Sequence, residues 1–190
     1  LAGFIAYINN GSNKIYGLPE PDHKFGATHP TINSELLYKI RHGKIKPRVE
    51  IDRFEGKKVF FKDKSKEDFD VVIACTGFVL AHPFFDKKFL NYSEGPVPLY
   101  LRMFHPTYDN LYFIGMFQPL GCIWPGAEQQ SKLAALALKG SWKRPANIDV
   151  LCEREVTHPH MKQINTSRHR ITVDFHRFMR DLKTQIIKTA

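Results

Sequence analysis

An α/β architecture is predicted for this 190-residue chain by three features of its pattern. Hydrophobicity alternates with period 2 through residues 48–62, as half-buried antiparallel strands require. Two apolar runs, 71–74 and 110–115, lead into Gly77 and Gly115, as strands buried on both faces do. Helical spacing follows at 31–43 and again at 126–140.

The elements follow in order. Ala2 to Ile8 is short and apolar, and Asn9-Asn10-Gly11-Ser12-Asn13 stops it, so it reads as a helix end. Tyr16 to Pro30 carries Gly17, Pro19, Pro21, Gly26 and Pro30 and is expected to be an ordered surface loop. A helix then starts at Thr31 or Asn33 as its cap, with Glu35 in the first turn and Ile32, Leu36, Leu37 and Ile40 on one side. Arg41, His42 and Gly43 close it. Arg48 to Phe54 reads as a strand, Glu55-Gly56 as a tight turn, Lys57 to Lys62 as the returning strand and Asp63-Lys64-Ser65 as a second turn. Phe69 to Ala74 is a further strand, ending in Cys75-Thr76-Gly77-Phe78.

Residues 78–100, rich in proline and aromatics, predict a loop crossing a surface. Strands are expected at Leu99–Phe104 and, more strongly, at Asn110–Gly115. The loop Met116–Pro125 precedes a helix from Gly126 to Lys139-Gly140, and Trp124 and Trp142 beside it read as packing anchors. The charged remainder predicts helices around Ile148–Val156 and Val173–Ile187.

Composition narrows the classes. With 43% apolar and 25% charged residues the chain is neither disordered nor fibrous. No apolar run approaches the about 20 residues of a membrane span. Cys75, Cys122 and Cys152 are odd in number and far apart, which argues against a disulfide framework. With no secretory signal pattern at the N-terminus, a reducing, cytoplasmic setting is expected. The chain also begins without Met, which predicts a piece of something longer. Its net charge of +9 raises nucleic acid as a partner. However, Lys57, Lys58, Lys62, Lys64 and Lys66 alternate with acids, so solvated basic faces are the expectation and nucleic acid is not.

Two units carry chemistry. In the first, a strand ends in Gly115, and the loop Gln118-Pro119-Leu120-Gly121-Cys122 leads into a helix whose positive end points back at the loop. Such a loop offers one side-chain amide, several backbone N–H groups and no titratable catalyst. It suits holding a flat neutral or anionic ring better than acid–base work, although an ordinary strand-to-helix turn is the plainer reading. The second unit is the strand delivering Thr76 and Gly77, where the hydroxyl can donate to a phosphate, ribose or carbonyl. His158, His160, His169 and His176 with Cys152 lack the paired spacings of a zinc site, so no metal is expected. Ser12, Ser93 and Ser167 lie in no nucleophile turn. The triplets at Asn10, Asn91 and Asn165 fit glycosylation only by chance.

Together the two units resemble a family. Asp-Val-Val-Ile-Ala-Cys-Thr-Gly-Phe at 70–78 is similar to the linker of flavin-containing monooxygenases. Residues 98–106 and 110–121 resemble that family's last flavin-domain strand and its Gln-Pro-Leu-Gly loop. The stretch 125–140, with Glu128 and Gln129, is similar to the helix that follows, and Tyr16–His23, His29–Thr31 and Ile45–Pro47 resemble loops of bacterial members. The resemblance implies part of a Rossmann-like fold with two dinucleotide-binding domains, carrying a β-meander and a helical C-terminal extension. Residues 1–77 would belong to the NADPH-binding domain, 78–146 to the FAD-binding domain and 147–190 to the extension. It further implies FAD and NADPH as cofactors and O2 as co-substrate. The reduced flavin would form a peroxyflavin that oxygenates a small N-, S- or carbonyl-containing substrate, as in Baeyer–Villiger relatives for ketones. Thr76, Gly77, Gly115, Gln118, Pro119, Leu120 and Gly121 would contact the cofactors, and no side chain would be catalytic.

The chain departs from the family pattern in having no Gly-x-Gly-x-x-Gly run and in reading Ala-Cys-Thr-Gly where the family has Ala-Thr-Gly. No residue is assignable to pyrophosphate. The expectation is therefore a C-terminal portion, inactive alone, whose partner is the N-terminal half of the same protein. The alternative is a stand-alone basic binding module derived from such a half, for nucleic acid or a protein.

Overall fold

A computed structural model describes residues 8–29, 33–161, 163–164 and 166–188. The expected helix end before Ile8, the caps and contacts at Thr31 and Ile32, and the triplet at Asn165 therefore lie outside the described residues. The chain divides into two compact units, 1–26 with 30–78, and 27–29 with 79–190.

The first unit combines short helical turns with a small sheet. A 3-10 turn, Asn13–Tyr16, is capped by Ser12, whose hydroxyl accepts from the Lys14 N–H at 3.2 Å. It buries Tyr16, whose hydroxyl donates to the Asn10 carbonyl at 2.6 Å while the Arg41 guanidinium lies 4.9 Å from its ring centre. Helix α1, Leu36–Arg41, starts where Asn33 Oδ1 accepts from the N–H groups of Glu35 and Leu36 at 2.9 and 2.7 Å. Glu35 holds the N-cap position itself, and Asn33, of the two caps expected the one among the described residues, serves the helix start from two residues further back.

The period-2 segment forms a three-stranded antiparallel sheet in the order β1 (Ile51–Glu55), β2 (Lys58–Phe61), β3 (Lys66–Asp68). Glu55 pairs with Lys58, so the tight turn is Gly56-Lys57, one residue later than expected. The central strand supplies the buried Val59 and Phe61, and the whole of β1 is exposed. Acidic and basic side chains alternate around the sheet in ion pairs, Lys62 with Glu50 at 2.6 Å and Lys57 with Asp70 at 3.1 Å.

Three strand expectations are corrected. The sheet's third strand ends at Asp68, and the run 70–78 has no regular structure: Ile73 is 79% exposed and Phe78 fully so. A strand buried on both faces needs a paired strand on each side and cover above and below. The last ladder bond is from the Phe69 N–H to the Lys57 carbonyl at 2.9 Å, and no strand among the described residues flanks the run beyond it. Leu99–Phe104 is a tight turn, not a strand, for a different reason, its two central residues being held left-handed. The Tyr100 and Phe104 backbones exchange N–H···O bonds of 3.1 and 3.0 Å, with Leu101 and Arg102 both in the left-handed region. Asn110–Gly115 keeps a single ladder contact, Phe104 opposite Tyr112, with the Phe113 N–H donating to Met103.

The second unit is mainly helical. Helix α2, Trp124–Leu138, places Pro125 in its first turn; α3 is Ile148–Thr157 and α4 is Phe175–Ile187. Asp174 caps α4 by accepting from the Arg177 N–H at 2.8 Å. Helices α2 and α4 pack together around a core that includes Met103, Phe104, Phe117, Leu133, Cys152, Phe178 and Leu182. A second cluster gathers Leu90, Tyr92, Val97, Leu99, Phe113 and Met116. Trp142 is the anchor expected, stacked on Phe104 at 4.4 Å. Trp124 is 75% exposed and anchors nothing, which corrects its reading as a packing residue.

Candidate functional site

Gly115, Gln118, Pro119, Leu120 and Gly121 come together as one loop ahead of α2. Gly115 has φ +80° and Gly121 φ +118°, conformations that side-chain-bearing residues rarely adopt. Both turns therefore depend on glycine, and they let the chain run from the sequence 110–114 into the helix within a few residues. The loop's two ends are fixed differently. At Gly115, the N–H donates to Gln130 Oε1 at 2.8 Å. At Gln118, the backbone N–H donates to the Ile171 carbonyl at 2.8 Å and the carbonyl accepts from the Val173 N–H at 3.0 Å, a short parallel bridge to the C-terminal segment. Between these ties Met116 and Phe117 are buried, as is Pro119 just beyond, while Leu120 and Gly121 are exposed.

The chemistry of this loop is apolar and unionised. No side chain from Gly115 to Gly121 titrates, and Ile114, Leu120 and Trp124 expose hydrocarbon and ring surface around it. Ile123, which precedes α2, makes no side-chain capping bond and the first turn holds no acidic residue; with Pro125 lacking an N–H and the Gly126 and Ala127 N–H groups both donating to the Ile123 carbonyl at 3.1 Å, the positive end here is that of the helix dipole. These features fit a flat ring with an electronegative edge. They do not fit a pyrophosphate, for which no glycine-rich cradle is present in the sequence.

Thr76 and Gly77 belong to the other unit. Both are exposed, and Gly77 has φ +88°. Cys75 and Cys122 are exposed free thiols, whereas Cys152 is buried, its sulfur accepting from the Tyr100 N–H at 3.2 Å and donating to the Phe104 carbonyl at 3.5 Å. Burial pushes that thiol up to about 11. Among the described residues, no group of three or more His, Cys, Asp or Glu side chains is placed to hold a metal ion, and no helix is long and apolar enough to cross a membrane.

Two features escaped the sequence reading. The first is Gln130, fully buried, which accepts from Gly115 and donates from Nε2 to the Leu101 carbonyl at 3.0 Å. Its signal was available: residues 126, 130 and 133 share the inner stripe of α2, and a polar side chain there must find partners. The second is a buried charge group. Arg102 Nε lies 3.9 Å from Glu155 Oε2, and His160 Nε2 lies 3.9 Å from the same oxygen and 3.8 Å from Asp181 Oδ2. Burial raises the Glu155 carboxyl, opposed by Arg102, and burial followed by Arg177 lowers the His160 imidazole. A cleft of about 280 Å³ adjoins it, lined by Tyr100, Arg154, Arg177 and Asp181 among others. The group ties the left-handed 101–102 turn to α3, since the Leu101 N–H also donates to Glu155 Oε1 at 3.3 Å.

Comparison with known proteins gives these loops a context. The family model for flavin-binding monooxygenase-like proteins matches residues 7–189. Flavin-containing monooxygenase 5 of Rattus norvegicus is 33% identical over 168 residues, covering 86% of this chain and 31% of that protein. The Homo sapiens flavin-containing monooxygenase 5 is 29% identical over 175 residues, covering 90% of this chain and 32% of that protein. Dimethylaniline monooxygenase (N-oxide-forming) 2 of Oryctolagus cuniculus is 30% identical over 145 residues, covering 75% of this chain and 27% of that protein. The chain thus spans about a third of the length of the curated relatives it matches. With nearly its whole length matched by the family model, the chain belongs to the flavin-binding monooxygenase-like family.

Proposed function

We propose that these residues form the C-terminal portion of an FAD- and NADPH-dependent monooxygenase that inserts one atom of O2 into a small N-, S- or carbonyl-containing substrate. The observation that carries this reading is the Gly115–Gly121 loop, without titratable groups, tied at Gly115 and Gln118 and set before the positive end of α2. Gln118, Pro119, Leu120 and Gly121 would hold the flavin ring, and Gly115 would give its backbone close approach. Bound flavin supplies the redox and oxygen chemistry; the chain's own residues would orient the ring, exclude water and set the positive end of the α2 dipole beside negative charge on it. Thr76 and Gly77 would mark the return from the NADPH-binding to the FAD-binding domain, with residues 147–190 as an extension of the latter.

The phosphate cradles would come from residues preceding this chain in a longer protein. The exposed Val71, Val72, Ile73 and Phe78 of the first unit, and separately the exposed Phe84 and Ile114 of the second, are apolar surfaces those residues would cover. The ion pairs of the sheet's lysines speak against the basic binding module, because they leave acidic and basic groups interleaved. Coexpression tests the reading. The 190-residue chain alone should purify without flavin, and coexpression with the preceding two-thirds of such a protein should yield a yellow complex that consumes NADPH. Stoichiometric FAD binding and NADPH consumption by the chain alone would contradict it.

A further inference from the structure

We infer that Gln130 is a positioning residue for the cofactor loop, an inference that rests on the flavin reading of Gly115–Gly121. Gln130 is fully buried, and both ends of its amide are used: Oε1 accepts from the Gly115 N–H at 2.8 Å, and Nε2 donates to the Leu101 carbonyl at 3.0 Å. The two backbones it joins are ones that need holding. Gly115 is in a left-handed turn, and Leu101 with Arg102 forms two consecutive left-handed residues without the freedom of glycine, at φ +52° and +55°. Such a turn persists only when its surroundings over-determine it. Here Glu155 takes the Leu101 N–H and Gln130 takes its carbonyl.

Gln130 stands on α2, the helix whose first turn follows the loop, and reaches back to the loop's first residue. The helix and the loop are thereby locked as one body at Gly115, while the Ile171–Val173 segment locks Gln118. Leu120 to Cys122 is the exposed remainder, so the brace determines where Gln118–Gly121 sits relative to the positive end of α2. A preorganised platform of this kind is what a tightly oriented ring requires.

Hydrogen exchange at the Gly115 amide, followed in the 190-residue chain, reads the brace directly. Gln130→Leu removes both bonds and should speed Gly115 exchange about tenfold, the worth of one hydrogen bond. In the longer flavoprotein the same change should weaken FAD binding about tenfold and shift the flavin's visible spectrum. Gln130→Glu is the more discriminating variant, since a neutral acid accepts and donates as the amide does, whereas a carboxylate only accepts. Against wild type at the same pH, it should behave as wild type near about pH 5 and lose the Leu101 bond near about pH 9, with the flavin spectrum following that titration. If Gln130→Leu fails to fold, this pH series decides alone. Unchanged Gly115 exchange together with a pH-independent Gln130→Glu spectrum overturns the positioning role. If wild-type loop amides gain no protection from FAD while Gly115 responds to Gln130→Leu, the flavin reading fails and takes the cofactor half of this inference with it.

Discussion

Gly126 sits where any side chain would collide with the ring of Phe117. A Cβ at this position would overlap the ring, with Cε2 at 2.8 Å. The requirement is space, not backbone freedom, since Gly126 lies inside α2. Phe117 cannot yield easily, because it is itself buried and packs on Phe178 at 4.6 Å between ring centres. This contact closes α2 onto the loop that precedes it. Gly126→Ala is expected to lower stability by about 1–3 kcal/mol through overpacking, despite the higher helix propensity of alanine. Denaturant unfolding measures this, and a stabilised variant would show that the ring moves aside.

The three thiols should separate by environment. Cys75 and Cys122 are exposed, while Cys152 is buried, hydrogen-bonded to two backbone groups and pushed up to about 11. Alkylation of the native chain followed by peptide mass mapping should label the first two and leave Cys152 unmodified until denaturant is added. Labelling of Cys152 at the rate of Cys122 would mean that α3 does not pack its Cys152 face against the Tyr100–Phe104 turn.

Removal of Arg102 should cost more than removal of its partner's charge. Arg102→Met leaves Glu155 buried beside nothing positive at that contact, for a loss of about 3 kcal/mol or more. Glu155→Gln keeps size and most hydrogen-bonding capacity, and the double variant should recover part of the Arg102→Met loss. Additive losses in a double-mutant cycle would deny that the pair is coupled.

The same group predicts opposed pH effects. The folded-state His160 imidazole is held below 6.5, so the unfolded chain takes the proton first and stability falls as pH drops through about 6.5. The Glu155 carboxyl is raised above 4.5, so its contribution is intact below that value and is lost as pH rises through the folded value. Thermal midpoints against pH should show a shallower acid-side decline for His160→Gln and a shallower loss on the rising-pH side for Glu155→Gln. Identical profiles for both variants and wild type would contradict these directions.

What the sequence made legible follows from the range of the interactions involved. Helices α2, α3 and α4 and the β1–β2 hairpin were readable because caps, turn residues and hydrophobic spacing are local. The run 71–74 and the segment 110–115 read as strands from their composition, yet a strand exists only with neighbours, and no amount of valine or isoleucine supplies them. Leu99–Phe104 failed differently. It was expected to be a strand, whereas Leu101 and Arg102 turn left-handed because Gln130 and Glu155, far away in sequence, hold them there. The loop residues Gln118 to Gly121 were visible as a motif, but what fixes them, Gln130 and Ile171–Val173, was not.

The account's central claim is that the Gly115–Gly121 loop lies along a bound flavin. Cys122, exposed and one residue beyond Gly121, is a native reporter for it. Its alkylation rate should be measured in the longer flavoprotein with and without FAD, with Cys152 as the buried reference. The account predicts that FAD slows labelling of Cys122 by about tenfold or more. Equal labelling of Cys122 in the FAD-loaded and FAD-free protein would contradict it.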